Sequence, residues 1–222
     1  MRDQVIDLMQ YRNAEHFHLL NEVESYWEAL RDGASAPFRD QIDPRGLERA
    51  LDNVFYIEKL GAGAVRFRLA GKVVEQLIGM DPRSMPFVSL FDGADRTAAR
   101  NLVENAFERP QVVRMRLFSK GPNGQSKFNL SGGLILLPLK DAKGSVRRAL
   151  GCLQVEKKDA PSMRNFTIQT VTTRNLAPLE KRPEKMPPLI EEAFTEFNED
   201  PAKFDHKPAK TDVTPFLRVV KS

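Results

Sequence analysis

The sequence has few of the residues on which covalent and metal chemistry depends. Among 222 residues there is one cysteine, Cys152, and there are three histidines, His16, His18 and His206. A single cysteine cannot form an internal disulfide, which suits a reducing compartment such as the cytoplasm. His16 and His18 stand two residues apart and would point to different sides of a helix. We therefore expect a cytoplasmic protein without a metal site.

Long apolar runs and catalytic signatures are missing as well. No apolar segment approaches the roughly 20 residues that span a bilayer, and Asp3 and Asp7 stand where a signal peptide would have its apolar core. There is no Gly-x-Ser-x-Gly elbow, no Walker-type phosphate loop and no His-Glu-x-x-His motif. These absences predict no membrane partner, no export and no enzymatic activity.

The charge is nearly balanced, with 34 cations, 30 anions and a net charge of +4. Nucleic-acid binders concentrate a basic excess on one face, and this excess is small, so we expect no nucleic-acid partner. With 41% hydrophobic and 29% charged residues, the composition is typical of a soluble globular protein.

Three regions of the chain differ in their residue patterns. Residues 1–52 form a helical extension, residues 53–157 are rich in strand patterns, and residues 158–222 hold eight of the 15 prolines. This last region predicts a partly ordered tail with a short helix at Leu189–Phe197 and an apolar island at Phe216–Val220.

The leading helix of the first region is amphipathic. Leu20, Val23, Trp27 and Leu30 recur at spacings of three or four residues, and Gly33 follows as a natural end. We expect this stripe either to cover part of a sheet or to pair with its copy in a dimer.

The second region predicts an α+β fold in the order β-β-α-(α)-α-β-β-β. Turn sequences at Gly121–Gly124 and Asp141–Gly144 make the last three strands antiparallel neighbours. Helices at Lys72–Ile78 and Ala94–Phe107 must cover one face of the sheet. The predicted strands are Val54–Ile57, Val65–Leu69, Val112–Phe118, Lys127–Leu137 and Arg147–Val155.

Several segments of this order resemble a bacterial family of small proteins with a single PAS domain. The resemblance covers residues 24–156 and is most specific in Arg66–Gly71. The other matching segments are Tyr26–Arg31, Pro37–Arg39, Ile42–Pro44, Asp95–Arg96, Leu136–Leu139 and Leu150–Leu153.

The resemblance implies a five-stranded antiparallel sheet with helices on one face, often dimeric and used in signalling. It does not imply one ligand. A haem-binding PAS domain usually has a histidine on the helix before the third strand, and Ala94–Phe107 has none. A flavin-adduct photoreceptor needs a cysteine in the helical middle, and residues 80–92 have none. We therefore expect neither cofactor, and Cys152 to be a small residue of the last strand.

The volume between sheet and helices is either a solid core or a ligand cavity. Solid core is the usual outcome, but two glycines inside the sheet could leave room for a small molecule. The residues predicted to line this space are Phe55, Phe67, Leu69, Leu77, Phe87, Phe91, Val113, Met115, Leu130, Gly132 and Gly151.

The opposite face is predicted to carry an interaction surface made of Trp27, Arg66, Arg68, Arg114 and Arg116. The arginines alternate outward on two strands and would suit an acidic partner protein. The default interpretation of these arginines is a solvated edge that blocks strand pairing.

A weaker alternative is a cyclic-dinucleotide site. Arg96 and Arg100 form an Arg-x-x-x-Arg pattern, and Asn129–Gly133 follows about thirty residues later, which resembles the PilZ signature. Leu134 stands where that signature has a glycine, and the arginines fall inside a predicted helix.

Two hypotheses of function follow. In the first, the chain is a non-catalytic regulatory protein that acts through protein contacts and dimerisation. In the second, it is a sensor with a small molecule in the PAS cavity that moves the leading helix. Native mass spectrometry separates the two, because only the second predicts a bound ligand.

Overall fold

A computed structural model describes five stretches of the chain. The predicted helix Leu189–Phe197, the island Phe216–Val220, His16 and His206 lie outside them. The described residues are 17–61, 64–121, 125–126, 129–156 and 165–176.

The central feature is a six-stranded sheet in which all neighbours pair antiparallel. Five strands match the predicted segments to within a few residues, and the α+β prediction is confirmed. The spatial order is β2-β1-β5-β4-β3-β6. The strands are β1 (Val54–Leu60), β2 (Ala64–Ala70), β3 (Gln111–Ser119), β4 (Leu130–Lys140), β5 (Val146–Val155) and β6 (Thr167–Asn175).

The sixth strand corrects the predicted count of five. Strand β6 lies in the region that the prolines assigned to the tail. It pairs with β3 from Thr167 to Asn175, with one β-bulge at Gln169. Its sequence, Thr-Ile-Gln-Thr-Val-Thr-Thr-Arg-Asn, is rich in β-branched residues, which favour strands. Phe166, directly before it, is fully buried and fixes where the chain returns to the sheet.

The helices match the prediction in position. They are α1 (His18–Arg31), α2 (Lys72–Ile78) and α3 (Arg96–Glu108), with 3₁₀ helices at Arg39–Gln41, Pro44–Ala50 and Phe87–Leu90. Helix α2 ends at Gly79, whose φ of 84° is readily adopted only by glycine.

The sheet is covered on both faces, which differs from the prediction of helices on one face. Side chains from α2, α3 and Phe87–Leu90 pack on what we call the inner face, and side chains from α1 and Pro44–Ala50 pack on the outer face. Residues 132–139 of β4 are all buried as a result. The unbroken run Leu134–Leu139 is typical of a strand covered on both sides.

The hairpin between β4 and β5 forms at the predicted turn. The Asp141 side chain accepts hydrogen bonds from the backbone N–H groups of Lys143 and Ser145, both at 2.9 Å. Gly144 has a φ of 80°, which suits glycine at this position.

Candidate ligand space and partner surfaces

Four phenylalanines fill the middle of the inner face. Phe55, Phe67, Phe87 and Phe91 are each fully buried. Their ring centroids lie 5.4–6.1 Å apart, in edge-on, tilted and stacked pairs. These separations are those of aromatic side chains in direct contact, so the rings occupy the volume in which the sequence allowed a ligand.

The space beside the two predicted glycines is also occupied. A Cβ on Gly151 would lie 2.2 Å from Cζ of Phe55. A Cβ on Gly132 would lie 3.3 Å from Val155 and 3.7 Å from the Phe166 ring. The glycines therefore admit neighbouring side chains rather than a ligand. Phe166 escaped the sequence analysis because it follows the last predicted strand.

The remaining predicted cavity residues divide into two groups. Leu77, Val113, Met115 and Leu130 are buried in the inner-face core as expected. Leu69 is 52% exposed and lines no interior space, so that part of the prediction is wrong.

A β-bulge explains the position of Leu69. Tyr56 pairs with Leu69 while the next residue, Ile57, pairs with Phe67, so Arg68 is the extra residue. A bulge shifts the alternation by one residue. Val65 and Phe67 consequently face the core, whereas Leu69 shares the outer face with Tyr56.

A small cavity does open between β2, α3 and the 3₁₀ helix at Phe87–Leu90. Its volume is about 150 Å³. It is lined mainly by apolar groups, with Arg66 and Arg100 among the lining residues. The lining residues are Ala64, Val65, Arg66, Pro86, Phe87, Val88, Arg100 and Val103.

Trp27 lies beneath α1 and not on a partner surface, which corrects its predicted role. Its side chain is fully buried, and its Nε1–H donates a 2.9 Å hydrogen bond to the Pro138 carbonyl. At the start of the helix, Phe17 and Leu20 pack against Gly133, where a Cβ would lie 2.8 Å from the Phe17 ring. The apolar stripe of α1 therefore covers the sheet of its own chain.

The four predicted arginines do not form one surface. Arg66 and Arg68 lie on β2, and Arg114 and Arg116 lie on β3, four strands away. At the usual strand spacing the two pairs are about 19 Å apart. Helix α1 packs on the strands between them.

Three of these arginines have partners in their own chain. Arg66 donates to the Ser84 carbonyl at 2.6 Å, and Arg68 forms an ion pair with Glu58. Arg114 forms an ion pair with Glu24 of α1. These contacts favour a structural role over a free basic surface.

Glu24 and Glu28 of α1 also hold β6. Arg174 donates to Glu24 at 2.8 Å and to Glu28 at 3.2 Å. Burial raises the pKa of Glu28, but hydrogen bonds and charges from Arg31 and Arg174 outweigh it and hold the pKa below 4.5. The carboxylate is therefore charged at neutral pH and binds the last part of β6 to α1.

The cyclic-dinucleotide prediction fails on geometry. Helix α3, which carries Arg96 and Arg100, packs on the inner face through Ala99 and Val103. Ser131 alternates with the inner-face residue Leu130 and therefore faces outward. The two halves of the pattern lie on opposite sides of the sheet and cannot hold one nucleotide.

The described residues give little indication of a reactive cysteine or a metal site. Burial, aided by the charge of Glu22, raises the pKa of Cys152 to about 12, so the thiolate is disfavoured at neutral pH. His18 is exposed at the start of α1. Among the residues that the structure describes, no three His, Cys, Asp or Glu side chains could hold one metal ion, and no helix is long and apolar enough to cross a membrane.

Comparison with solved structures finds several similar proteins at low identity. VqmA bound to DPO is 15% identical, and the match covers 53% of this chain and 58% of that one with a TM-score of 0.38. The Vibrio cholera VqmA–ligand–DNA complex is 15% identical over 52% of each chain, with a TM-score of 0.37. A light-oxygen-voltage domain studied with a flavin analogue is 16% identical over 52% of this chain and 84% of that one, with a TM-score of 0.37. The chain thus spans little more than half the length of the VqmA chains.

The family assignment rests on sequence. A search of curated proteins finds no match. The sequence model of a PAS domain family matches residues 16–154, which is more than half of the chain and includes α1 and strands β1 to β5. The chain belongs to this PAS domain family, a family of signalling and sensor domains.

Proposed function

We propose that this chain is a non-catalytic, cytoplasmic regulatory protein that acts through protein contacts and dimerisation. The observation that carries the proposal is the occupied interior. Phe55 fills the space beside Gly151 and stacks within the four-phenylalanine cluster, which leaves no ligand volume beside this glycine. A domain of a signalling family with a filled core has its outer surfaces as the means of passing on a signal.

Two further observations support regulation without chemistry. The single thiol is buried and protonated at neutral pH. The carboxylates with lowered pKa values, including Glu28 and Glu58, are each paired with arginines, which is the pattern of structural ion pairs rather than of acid–base groups.

Native mass spectrometry of the purified full chain tests the proposal. We expect each subunit to have the mass of the polypeptide alone, after desalting that preserves non-covalent complexes. A stoichiometric additional mass that is released on denaturation would contradict it. The Phe55→Leu variant is the matched control, because its smaller side chain opens space in the core. A hydrophobic additive bound in that space would show that the method detects a ligand when there is room for one.

The 150 Å³ cavity favours a second candidate, a sensor of a small molecule. A cavity of about this volume can hold a benzene-sized ligand, and Arg100, which is exposed beside it, suits a carboxylate. For this candidate, benzoate would raise the melting temperature of the wild type and of Arg116→Ala but not of Arg100→Ala. Equal melting temperatures with and without benzoate in all three proteins would exclude that ligand class.

A further inference from the structure

Strand β6 forms one edge of the sheet and is exposed along most of its length. It pairs with β3 on one side, and residues 169–175 are all exposed. Near its start, the Ile168 N–H donates to Asp95 at 2.9 Å. Within the described stretches, the outward backbone groups of residues 169–175 have no backbone partner. Such a row of free donors and acceptors is a template for another strand.

Strand β6 has one β-bulge, at Gln169, where Arg116 pairs with Thr170 and Leu117 pairs with Ile168. It otherwise has few of the features that usually prevent edge pairing. It contains no lysine and no proline, and its one charged residue is Arg174. The Arg174 guanidinium is bound by Glu24 and Glu28 of α1, on the outer face. The only cation of β6 is thereby neutralised and directed away from the edge. Six of the nine residues are β-branched: Thr167, Ile168, Thr170, Val171, Thr172 and Thr173.

The sequence of β6 is compatible with its own copy. Its middle residue is Val171, and an antiparallel pair centred there aligns Thr170, Val171 and Thr172 of both strands. The bulge at Gln169 ends the regular register beyond them. Thr170 then lies opposite Thr172 of the second copy. No two like charges face each other, and threonine pairs and valine pairs across strands are stabilising.

The centre of this alignment is an exposed apolar side chain. Val171 is 39% exposed and lies opposite Met115, which is buried in the inner-face core. Pairing would place the two Val171 side chains side by side and extend the inner-face core of each chain. Both chains present the same surface, as a two-fold interface requires.

We propose that two copies of this chain pair antiparallel through β6, centred on Val171, and join their sheets into one. The proposal rests on the proposed role in protein contacts and names the surface on which dimerisation takes place. The second copy is the occupant that the charge pattern favours, because β6 offers neither a basic nor an acidic row to a differently charged peptide.

Sedimentation velocity over a concentration series tests the proposal. The wild type is expected to be dimeric, and Val171→Lys to raise the dissociation constant by at least about tenfold, because two ammonium groups would face each other across the axis. Leu69→Lys places the same charge on an exposed residue at the opposite edge and should leave the constant unchanged. A monomeric wild type, or a Val171→Lys protein that dimerises as tightly as the wild type, would overturn the proposal.

A disulfide experiment covers the case in which the lysine variant does not fold. Val171→Cys should form a covalent dimer under mild oxidation, since facing residues in a strand pair have Cβ atoms about 5 Å apart. Leu69→Cys should stay monomeric on a non-reducing gel. Equal cross-linking of the two variants would refute the pairing at β6.

The two proposals can fail separately. A bound small molecule in the mass spectrum contradicts the proposed function and leaves the dimer surface standing. A protein that is free of ligand and dimeric, and whose Val171→Lys variant dimerises as tightly as the wild type, contradicts only the pairing through β6.

Discussion

The two edges of the sheet are built differently. At the β2 edge, the segment Ser84–Pro86 lies alongside the strand: the Phe67 N–H donates to the Met85 carbonyl at 3.0 Å, and the Ser84 N–H donates to the Phe67 carbonyl at 2.9 Å. Pro86, which has no N–H to offer, bridges to Arg66. At the β6 edge, residues 169–175 are exposed. Within the described residues, the chain itself covers the β2 edge at Phe67, and no segment covers the β6 edge along residues 169–175.

The two edges of the sheet therefore differ in how readily another strand can pair with them. A covered edge with two arginines resists pairing. An edge of threonines and valine with its one arginine turned toward α1 accepts it. Both edges belong to one sheet, so contacts made at β6 are connected to the PAS core through β3 and to α1 through Arg174.

The largest expected difference is in how much the side chains of the two edge strands, β2 and β6, contribute to the free energy of unfolding. Phe67→Ala removes a fully buried ring from the four-phenylalanine cluster and should lower the free energy of unfolding by about 3–5 kcal/mol. Val171→Ala removes two methyl groups from an exposed site and should change it by less than about 0.5 kcal/mol. Urea denaturation at a concentration where the protein is monomeric measures both. Similar losses for the two variants would show that β6 is packed as deeply as β2.

The core behind the closed edge should tolerate no added volume. Gly151→Ala places a methyl group against the Phe55 ring and should cost about 1–3 kcal/mol in unfolding free energy. In a Phe55→Leu background the cost should fall, because the smaller side chain leaves the methyl group room. A double-mutant cycle by urea denaturation gives the coupling. Additive losses would mean that the two residues do not share the space.

The start of β6 depends on one carboxylate. Asp95→Ala removes the acceptor of the Ile168 N–H and should destabilise β6 locally by about 1 kcal/mol. Hydrogen exchange measured by mass spectrometry should then show faster exchange in β6 peptides and unchanged exchange in β2 peptides. The same acceleration at both edges would indicate general destabilisation instead.

The smallest effect concerns pH. The pKa of Glu28 is lowered in the folded chain, so its contacts with Arg31 and Arg174 stabilise the fold above pH 4.5 and are lost as the pH falls through the lowered value. For a partly exposed pair the loss should be about 0.5 kcal/mol. Glu28→Gln should lack this acid-dependent step in urea denaturation below pH 4.5. Parallel pH profiles of the wild type and the variant would show that Glu28 does not contribute to the acid-dependent loss of stability.

Much of the fold could be predicted from the sequence because it depends on local patterns. Alternation gave five strands, Asp141–Gly144 gave a turn, and Lys72–Ile78 gave a helix with the observed ends. The buried positions of Phe55 and Phe87 followed from the same patterns. These features can be predicted from residues that are close together in the sequence.

The residues whose positions were predicted wrongly are placed by contacts with residues that are distant in the sequence. Leu69 faces outward because a bulge forms between two strands, and alternation within one strand does not reveal it. Trp27 is buried because β4 is apolar on both faces, which the run Leu134–Leu139 already indicated. Strand β6 was hidden among prolines, although its β-branched residues were a usable signal.

The most direct test of the open edge is hydrogen exchange of the wild type at two concentrations, one well below and one well above the dissociation constant of the dimer. Peptides covering residues 169–175 are expected to exchange more slowly at the high concentration, while peptides of β2 and α1 exchange at the same rate at both. Unchanged exchange in β6, with protection appearing in α1 or at the β2 edge instead, would contradict pairing through β6.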